Sequence, residues 1–469
     1  MLMDRRFAAL AFVVCLHLLT AACGSRLPPR AVPVPQETAD PETAAPEPAT
    51  PEAVAPVALN CPLIAESGEP VATVGLTEPV NAANAPTPSN DSERLLFRQV
   101  YETLVAIDCN GRAVPGLAVS WRLDADGRAW VVTLREGARF SDGVPVSSAD
   151  VRAAWRRDDA SSELHWRVNR LIESLVVLDD RTLAITLRRR YADAPLALAH
   201  TDLAVARYVA DSRWPLGTRA SRIVSNNDAP AAAHSVITLE RDGLSPVRFI
   251  VAPGDPRDLL DDVVDLLLTR DPAALDYAAT LSRFQSVPMP WQRTFVLLTP
   301  KGRVSPLSDE ARQALAEDGV RGEARGAAGP FWWQMLPDCQ IAQPPPRGHA
   351  TLTPRIVYDA GDSAARDLAE RLVGLGRYQR AIGLTGDALA RARRMGNDAG
   401  YVVAVDSRPV DPCRELHVLI DNVRWLDPEA IVPLVDTRLQ AIVQRGRAGV
   451  IAEWDGGLLL AGGTTPNMP

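Results

Sequence analysis

Between Val100 and Arg157 the chain reads VYETLVAIDCNGRAVPGLAVSWRLDADGRAWVVTLREGARFSDGVPVSSADVRAAWRR. Here β-prone runs are separated by turn signals and lead into a capped helix start. Asp126-Gly127 lies between Ser120–Leu123 and Ala129–Leu134. This dipeptide readily takes the positive φ angles that a two-residue hairpin needs. Asp142-Gly143 marks a second turn. Ser147, three residues before Asp150, reads as the start of a capping box. Val151, Ala154 and Trp155 then follow at helical spacing. Trp121, Trp130, Leu134, Leu104 and Val105 are expected to form the core of a small β-rich subdomain.

The N-terminus speaks to location. Arg5 and Arg6 precede the apolar run Phe7–Leu19, which has the length of a signal-peptide core and is too short to span a bilayer. Thr20-Ala21-Ala22-Cys23 follows, small residues before a cysteine, as at a lipidation site that makes Cys23 the mature N-terminus. Ordinary cleavage after a small residue is the alternative. Residues 24–58 are rich in Pro, Ala and Glu and lack aromatics, so they cannot bury enough apolar surface to fold. In polyproline II form, at about 3.1 Å per residue, they would make a tether of roughly 100 Å.

Composition excludes some functions. The net charge of −8 and the lack of a basic run argue against a nucleic-acid partner. Four of the six cysteines, Cys61, Cys109, Cys339 and Cys413, fall in the folded part. In an exported domain these suggest two disulfides, with Cys61–Cys109 and Cys339–Cys413 favoured by chain order and free buried thiols as the alternative. There is no CxxC spacing and the six histidines are scattered, so no metal site is expected. No G-x-S-x-G, H-E-x-x-H or G-x-x-x-x-G-K-[ST] motif occurs, and no catalytic residue or cofactor is assigned.

Several blocks recur in a known order: Tyr101-Glu102-Thr103-Leu104-Val105, Pro115-Gly116-Leu117-Ala118-Val119-Ser120-Trp121, Asp126-Gly127, Leu134-Arg135-Glu136-Gly137, Phe140-Ser141-Asp142-Gly143 and Ala149-Asp150-Val151. In this the chain resembles the extracytoplasmic solute-binding proteins of the peptide/nickel ABC-transporter family, the family 5 binding proteins. The resemblance implies an α/β, two-lobed periplasmic-binding-protein-like fold with a small extra β-rich subdomain in the first lobe (type II, cluster C-like). The expected organisation is a lipoprotein signal peptide at 1–23 and a disordered tether at 24–58. A first lobe at 59–290 includes the small subdomain at 100–200. A trimmed second lobe at 291–425 and a return to the first lobe at 426–469 complete it.

Downstream the likeness is looser. Strands are expected at Leu183–Leu187, Ile237–Arg241, Val247–Val251, Thr294–Thr299, Arg355–Asp359 and Tyr401–Val405, and helices at Ala194–Val209 and Leu259–Asp265. Ala365, Leu368, Ala369 and Leu372 make a helical stripe. Pro215-Leu216-Gly217-Thr218 stands where the family has P-x-G-T-G-P-Y, with Arg219-Ala220-Ser221 replacing Gly-Pro-Tyr. Asp411-Pro412 and Pro433-Leu434 are only about twenty residues apart, where relatives carry a long ligand-covering segment.

The resemblance also implies a ligand site. Asp406 and Asp411 match the loop whose acidic residue meets a peptide's amino group, where a carboxylate gains a charge-assisted hydrogen bond; capping a turn is the alternative. Trp332 and Trp333 would line the cleft or pack in the core of the trimmed lobe. Arg312 and Arg408 would meet a carboxylate or stay solvated. The implied function is a lipid-anchored receptor of an ABC importer in the bacterial periplasm, a monomer that closes on a peptide or other small solute and docks on permease subunits. A degenerate member serving as a structural or signalling lipoprotein is the alternative.

Overall fold

The computed structural model describes residues 63–64, 68–107, 112–125, 128–156, 168, 171–188, 195, 198–227, 235–252, 254–261, 264–299, 307–320, 324–326, 353–395, 399–406, 431–453 and 457–460. They fall within one compact unit, Ala55–Pro469. Strand β1 (Thr73–Leu76) is followed by helix α1 (Asp91–Arg98). The helix starts where the Asn90 side chain accepts the Glu93 N–H at 2.8 Å. That bond satisfies one of the donors a helix start leaves open.

Next come β2 (Ala118–Leu123), β3 (Ala129–Leu134), α2 (Ser148–Trp155), β4 (Ile172–Val177) and β5 (Thr182–Leu187). The four strands form an antiparallel sheet in the order β2-β3-β5-β4. The capping box is present: the Ser147 hydroxyl accepts the Asp150 N–H and the Asp150 carboxylate accepts the Ser147 N–H at 2.8 Å. Val151, Ala154 and Trp155 are buried together against Leu104, Val105, Leu134, Leu183 and Ile185, with Trp121 and Trp130 half-buried at the rim. The Trp155 indole N–H donates to the Leu203 carbonyl at 3.0 Å, so its one polar atom is satisfied.

β2 and β3 pair as an antiparallel hairpin. The strands end at Leu123 and Ala129, and the Arg128 N–H is held by the Asp124 carboxylate at 2.8 Å. A side-chain acceptor on one side of the connection fixes the backbone on the other; Asp126-Gly127 itself lies outside the described residues. The Asp142-Gly143 turn forms as expected, with Gly143 at φ +86°. The Arg207 guanidinium pairs with Asp142 and lies 4.6 Å over the Phe140 ring. The Ser141 N–H donates to the Gly217 carbonyl at 2.9 Å. Two blocks far apart in sequence therefore meet here.

The helix expected at Ala194–Val209 is not found over its second half. Val205 bridges to Glu102, and Arg207 to Leu216, as extended backbone. Pairing to two neighbouring segments satisfies these buried backbone groups, so apolar content here marks burial rather than helix.

The remaining chain builds one large sheet. Its elements are β6 (Ser221–Asn227), β7 (Ser235–Arg241), β8 (Leu244–Val251), α3 (Pro256–Asp261), β9 (Leu266–Thr269), α4 (Pro272–Thr280) and β10 (Phe284–Leu298). Then follow α5 (Asp309–Val320), β11 (Thr353–Asp359), α6 (Ser363–Gly374), β12 (Tyr378–Leu384), α7 (Gly386–Met395), β13 (Ala399–Asp406) and β14 (Ile431–Gln444). The strand order is β12-β11-β13-β10-β14-β9-β1-β8-β7-β6, with Ala324–Arg325 pairing on β14.

β10 and β14 are the longest strands, 15 and 14 residues, and serve both ends of the sheet. At one end Leu439, Ala441 and Val443 pack with Val74, Leu76, Leu96 and Phe249. At the other, Phe295, Leu297, Val432 and Leu434 pack with Ile356, Leu368 and Leu372. The return expected from Leu426 onward is therefore gradual, since the first residues of β14 still belong to the second core. Register shifts fall between Pro288 and Trp291 and between Trp291 and Arg293. Pro288 and Pro290 have no N–H to give the ladder, and bulges bend a strand at such points.

Candidate functional site

At the register breaks of β10, charged side chains from both ends of the sheet converge on Arg293. Asp91, the first residue of α1, accepts Arg94 at 3.1 Å and Arg293 at 3.5 Å, and pairs with Arg270 beyond β9. From the other end Asp362, the N-cap of α6, stands 3.8 Å from the same Arg293 guanidinium. The Asp362 carboxylate also accepts the Ala365 N–H at 3.0 Å, which fixes its position. One arginine on the crossing strand thus sits between a carboxylate of each end.

Glu78, in the loop after β1, joins the cluster through Ser92. Its carboxylate accepts the Ser92 N–H at 3.1 Å and its N–H donates to the Ser92 hydroxyl at 3.1 Å. Burial, and then the nearby Asp91 carboxylate, raise the Glu78 pKa above its ordinary value; Arg293 and Arg270 oppose the shift. Beside Arg293, the Thr294 hydroxyl donates to the buried Asp436 carboxylate. Glu93 locks the wall next to the site. It accepts the Asn81 and Ser89 N–H groups, the Asn84 amide and the Ser89 hydroxyl, all at 2.7–2.9 Å.

The residues singled out in the sequence do not all reach this place. Asp406 ends β13, and its backbone pairs with Arg293. Arg312 lies on α5 and pairs with Asp309 one turn earlier on its own helix. Asp411, Trp332, Trp333, Arg408, Cys23, Cys61, Cys109, Cys339 and Cys413 lie outside the described residues. Sequence reasoning missed Asp91, Arg270, Arg293 and Asp362. The Asn90 and Asp362 caps were the signals available, but nothing in their spacing joins them to one another. Among the described residues no cluster of three or more His, Cys, Asp or Glu could hold a metal ion. No described helix is long and apolar enough to cross a membrane.

Residues 112–228 match the family model for bacterial extracellular solute-binding proteins, family 5 Middle. The periplasmic oligopeptide-binding protein OppA of Escherichia coli is 37% identical over 65 residues, 14% of this chain and 12% of the relative. The solved structure of the Escherichia coli murein tripeptide binding protein MppA superposes with a TM-score of 0.60 at 13% identity, covering 85% of this chain and 99% of that one. The periplasmic binding protein DppA from Helicobacter pylori, in complex with peptide STSA, also gives 0.60 at 13% identity, over 84% and 97% of the two chains. Residues 112–228 thus match family 5 of the extracellular solute-binding proteins, and the chain as a whole is similar to that family's solved structures in fold. Its fold is the two-lobed α/β periplasmic-binding-protein fold of cluster C, with the small antiparallel sheet as the extra subdomain. The sequence alignments span a quarter or less of the first curated relatives' length, from 11% to 25%. Within this fold, the Arg293 cluster lies where the two crossing strands change register.

Proposed function

We propose that this chain is the solute receptor of an ABC importer, working outside the cytoplasm and closing two lobes on a peptide-like ligand. The observation that carries this reading is the Asp91–Arg293–Asp362 arrangement on the bulged crossing strand. Two long strands shared by two cores form a hinge, and hinge closure around a ligand is a standard mode of movement. The charges there have both signs, Asp91, Glu78 and Asp362 against Arg270 and Arg293. A zwitterionic ligand can exchange its ammonium and carboxylate into such a cluster without leaving a buried charge unpaired. The relatives are described as an oligopeptide-binding protein and as a structure holding peptide STSA, which supports peptide as the ligand class. The action is binding and release, with no covalent step. Lipidation at Cys23 and the tether at 24–58 would hold the receptor beside its permease, and the cysteine pairs Cys61–Cys109 and Cys339–Cys413 would staple each half. Asp406 and Asp411 remain the proposed partners of the ligand's amino end, with Trp332 and Trp333 as walls.

A thermal-shift screen of the mature protein against di- to pentapeptides and metal chelates tests the reading. A ligand at a hundredfold excess over its Kd stabilises by about 2.7 kcal/mol, and small-angle scattering of that complex should show a smaller radius of gyration. Failure of every peptide and chelate to raise the melting temperature would refute the receptor reading and favour a structural or signalling lipoprotein.

A further inference from the structure

Away from the hinge, a cavity lies between α1 and the small subdomain, with room for water-sized molecules of about 50 Å³. Its polar lining includes Arg94, Arg98, Arg219, Glu453, Tyr101 and Thr103. Three guanidinium groups therefore face one carboxylate. That carboxylate, Glu453, is engaged by Arg98, and Arg94 is engaged by Asp91. The Tyr101 hydroxyl donates to the Pro215 carbonyl at 3.1 Å and the Thr103 hydroxyl to the Val105 carbonyl at 2.6 Å.

Arg94 and Arg98 each pair with a carboxylate, and Arg219 is placed differently. Its Nε is fully enclosed and has no hydrogen-bond partner among the described residues. Its backbone is fixed, because its N–H donates to the Val100 carbonyl at 3.2 Å. Gly217 packs so closely on the same carbonyl that an added Cβ would stand 2.0 Å from the oxygen. The carboxylate that acts on it, Glu102, is gripped by both terminal nitrogens of Arg135, at 3.1 and 2.9 Å. Burial lowers the Arg219 pKa; Glu102 opposes this, while Arg98 and Arg135 lower it further. A guanidinium placed among like charges, with an enclosed donor unfilled, is costly unless an acceptor joins it. This is also where the chain departs from its family's pattern, with Arg219 in place of a glycine.

We propose that this cavity binds a small oxyanion, a carboxylate or phosphate group, gripped by the Arg219 guanidinium within the positive field of Arg94 and Arg98. A planar fork of N–H donors fits two oxygens of such a group. Each enclosed water needs roughly 10–15 Å³ of such space, so the cavity takes a few waters or one oxyanion head group, not a peptide backbone. The site meets the hinge cluster through Arg94, which pairs with Asp91, but the proposal rests on Arg219 and stands without the receptor reading.

Calorimetric titration of the mature protein with potassium phosphate, sodium acetate and potassium chloride at matched ionic strength provides the test. One saturable site for phosphate or acetate, absent with chloride, is the expected result. Binding of phosphate alone assigns a phosphate group, and binding of both assigns a general oxyanion site. Arg219→Gln should weaken that binding about tenfold or more, as expected for losing a charged hydrogen-bond donor. Arg219→Lys, which keeps the charge without the fork, should fall between. Oxyanions that act no differently from chloride, or an Arg219→Gln protein that binds as the parent does, would overturn the proposal. If Arg219→Gln fails to fold, wild-type crystals grown in selenate decide: anomalous density in the cavity supports the site, and water there rules it out.

Discussion

The small sheet β2-β3-β5-β4 and the parallel end β12-β11-β13 bury strands in opposite ways. The first is antiparallel throughout, and β2–β3 and β4–β5 are sequence neighbours joined by turns. The second is parallel, so each strand must be led back by a crossover, and α6 supplies one between β11 and β12. The small sheet is therefore specified by local chemistry, turn by turn. The parallel end depends on contacts that form only once distant segments have met. In a two-lobed protein such a division suits a rigid scaffold on one side and a moving partner on the other.

The largest expected effects compare the two cores directly. Trp155→Ala should cost about 3–5 kcal/mol and Leu368→Ala about 2–5 kcal/mol, because both side chains are fully buried and leave cavities. Urea unfolding followed by both fluorescence and circular dichroism reads how the regions are coupled. One shared transition in each variant means that the cores unfold together. A second transition confined to Trp155→Ala would make the small sheet an independent unit.

Glu93→Ala comes next. It leaves two backbone N–H groups and the Asn84 amide without their acceptor, for a loss of about 1–3 kcal/mol. Hydrogen exchange should show opening of residues 81–89 before the sheet; uniform exchange across the molecule would mean that the loop is not held by Glu93 alone.

Glu78→Gln sharpens the view of the hinge. The raised folded-state pKa means that the native state holds its proton longer than the unfolded chain does. Stability contributed by this group therefore falls as pH rises from its ordinary value of 4.5 through the raised one. The variant should melt above wild type at pH 7 and match it at pH 4. A lower melting temperature at pH 7 would show that Arg270 and Arg293 outweigh burial and Asp91.

Asp362→Asn should be the mildest. The amide oxygen can still cap α6, so only the 3.8 Å pairing with Arg293 is lost. Pairs of this kind contribute less than about 1 kcal/mol. The readout is small-angle scattering: a broader distribution of interlobe distances is expected, and an unchanged one would remove Asp362 from the hinge.

Much of the fold was legible. The Ser147–Asp150 capping box, the Ala365–Leu368–Ala369–Leu372 stripe and the strands ending at Asp359 and Arg241 all rest on neighbours within a few residues. The first half of β10 was not, since Pro288 and Pro290 argue against a strand; it forms because β14 holds it in place. Apolar residues near Val205 suggested a helix, because burial in extended backbone leaves the same composition. The charged cluster was invisible for another reason. Asp91 and Arg293 are separated by 202 positions, and no periodicity connects them.

The sequence by itself determined the family resemblance, the small sheet and the capped start of α2, since turn residues, caps and spacing act over short distances along the chain. Only the tertiary structure decided which charges meet where β10 and β14 cross, and that Arg219 lines a cavity with no acceptor for its Nε among the described residues. Those contacts join segments far apart in sequence, so they exist only after β10 and β14 cross and the small subdomain docks on α1.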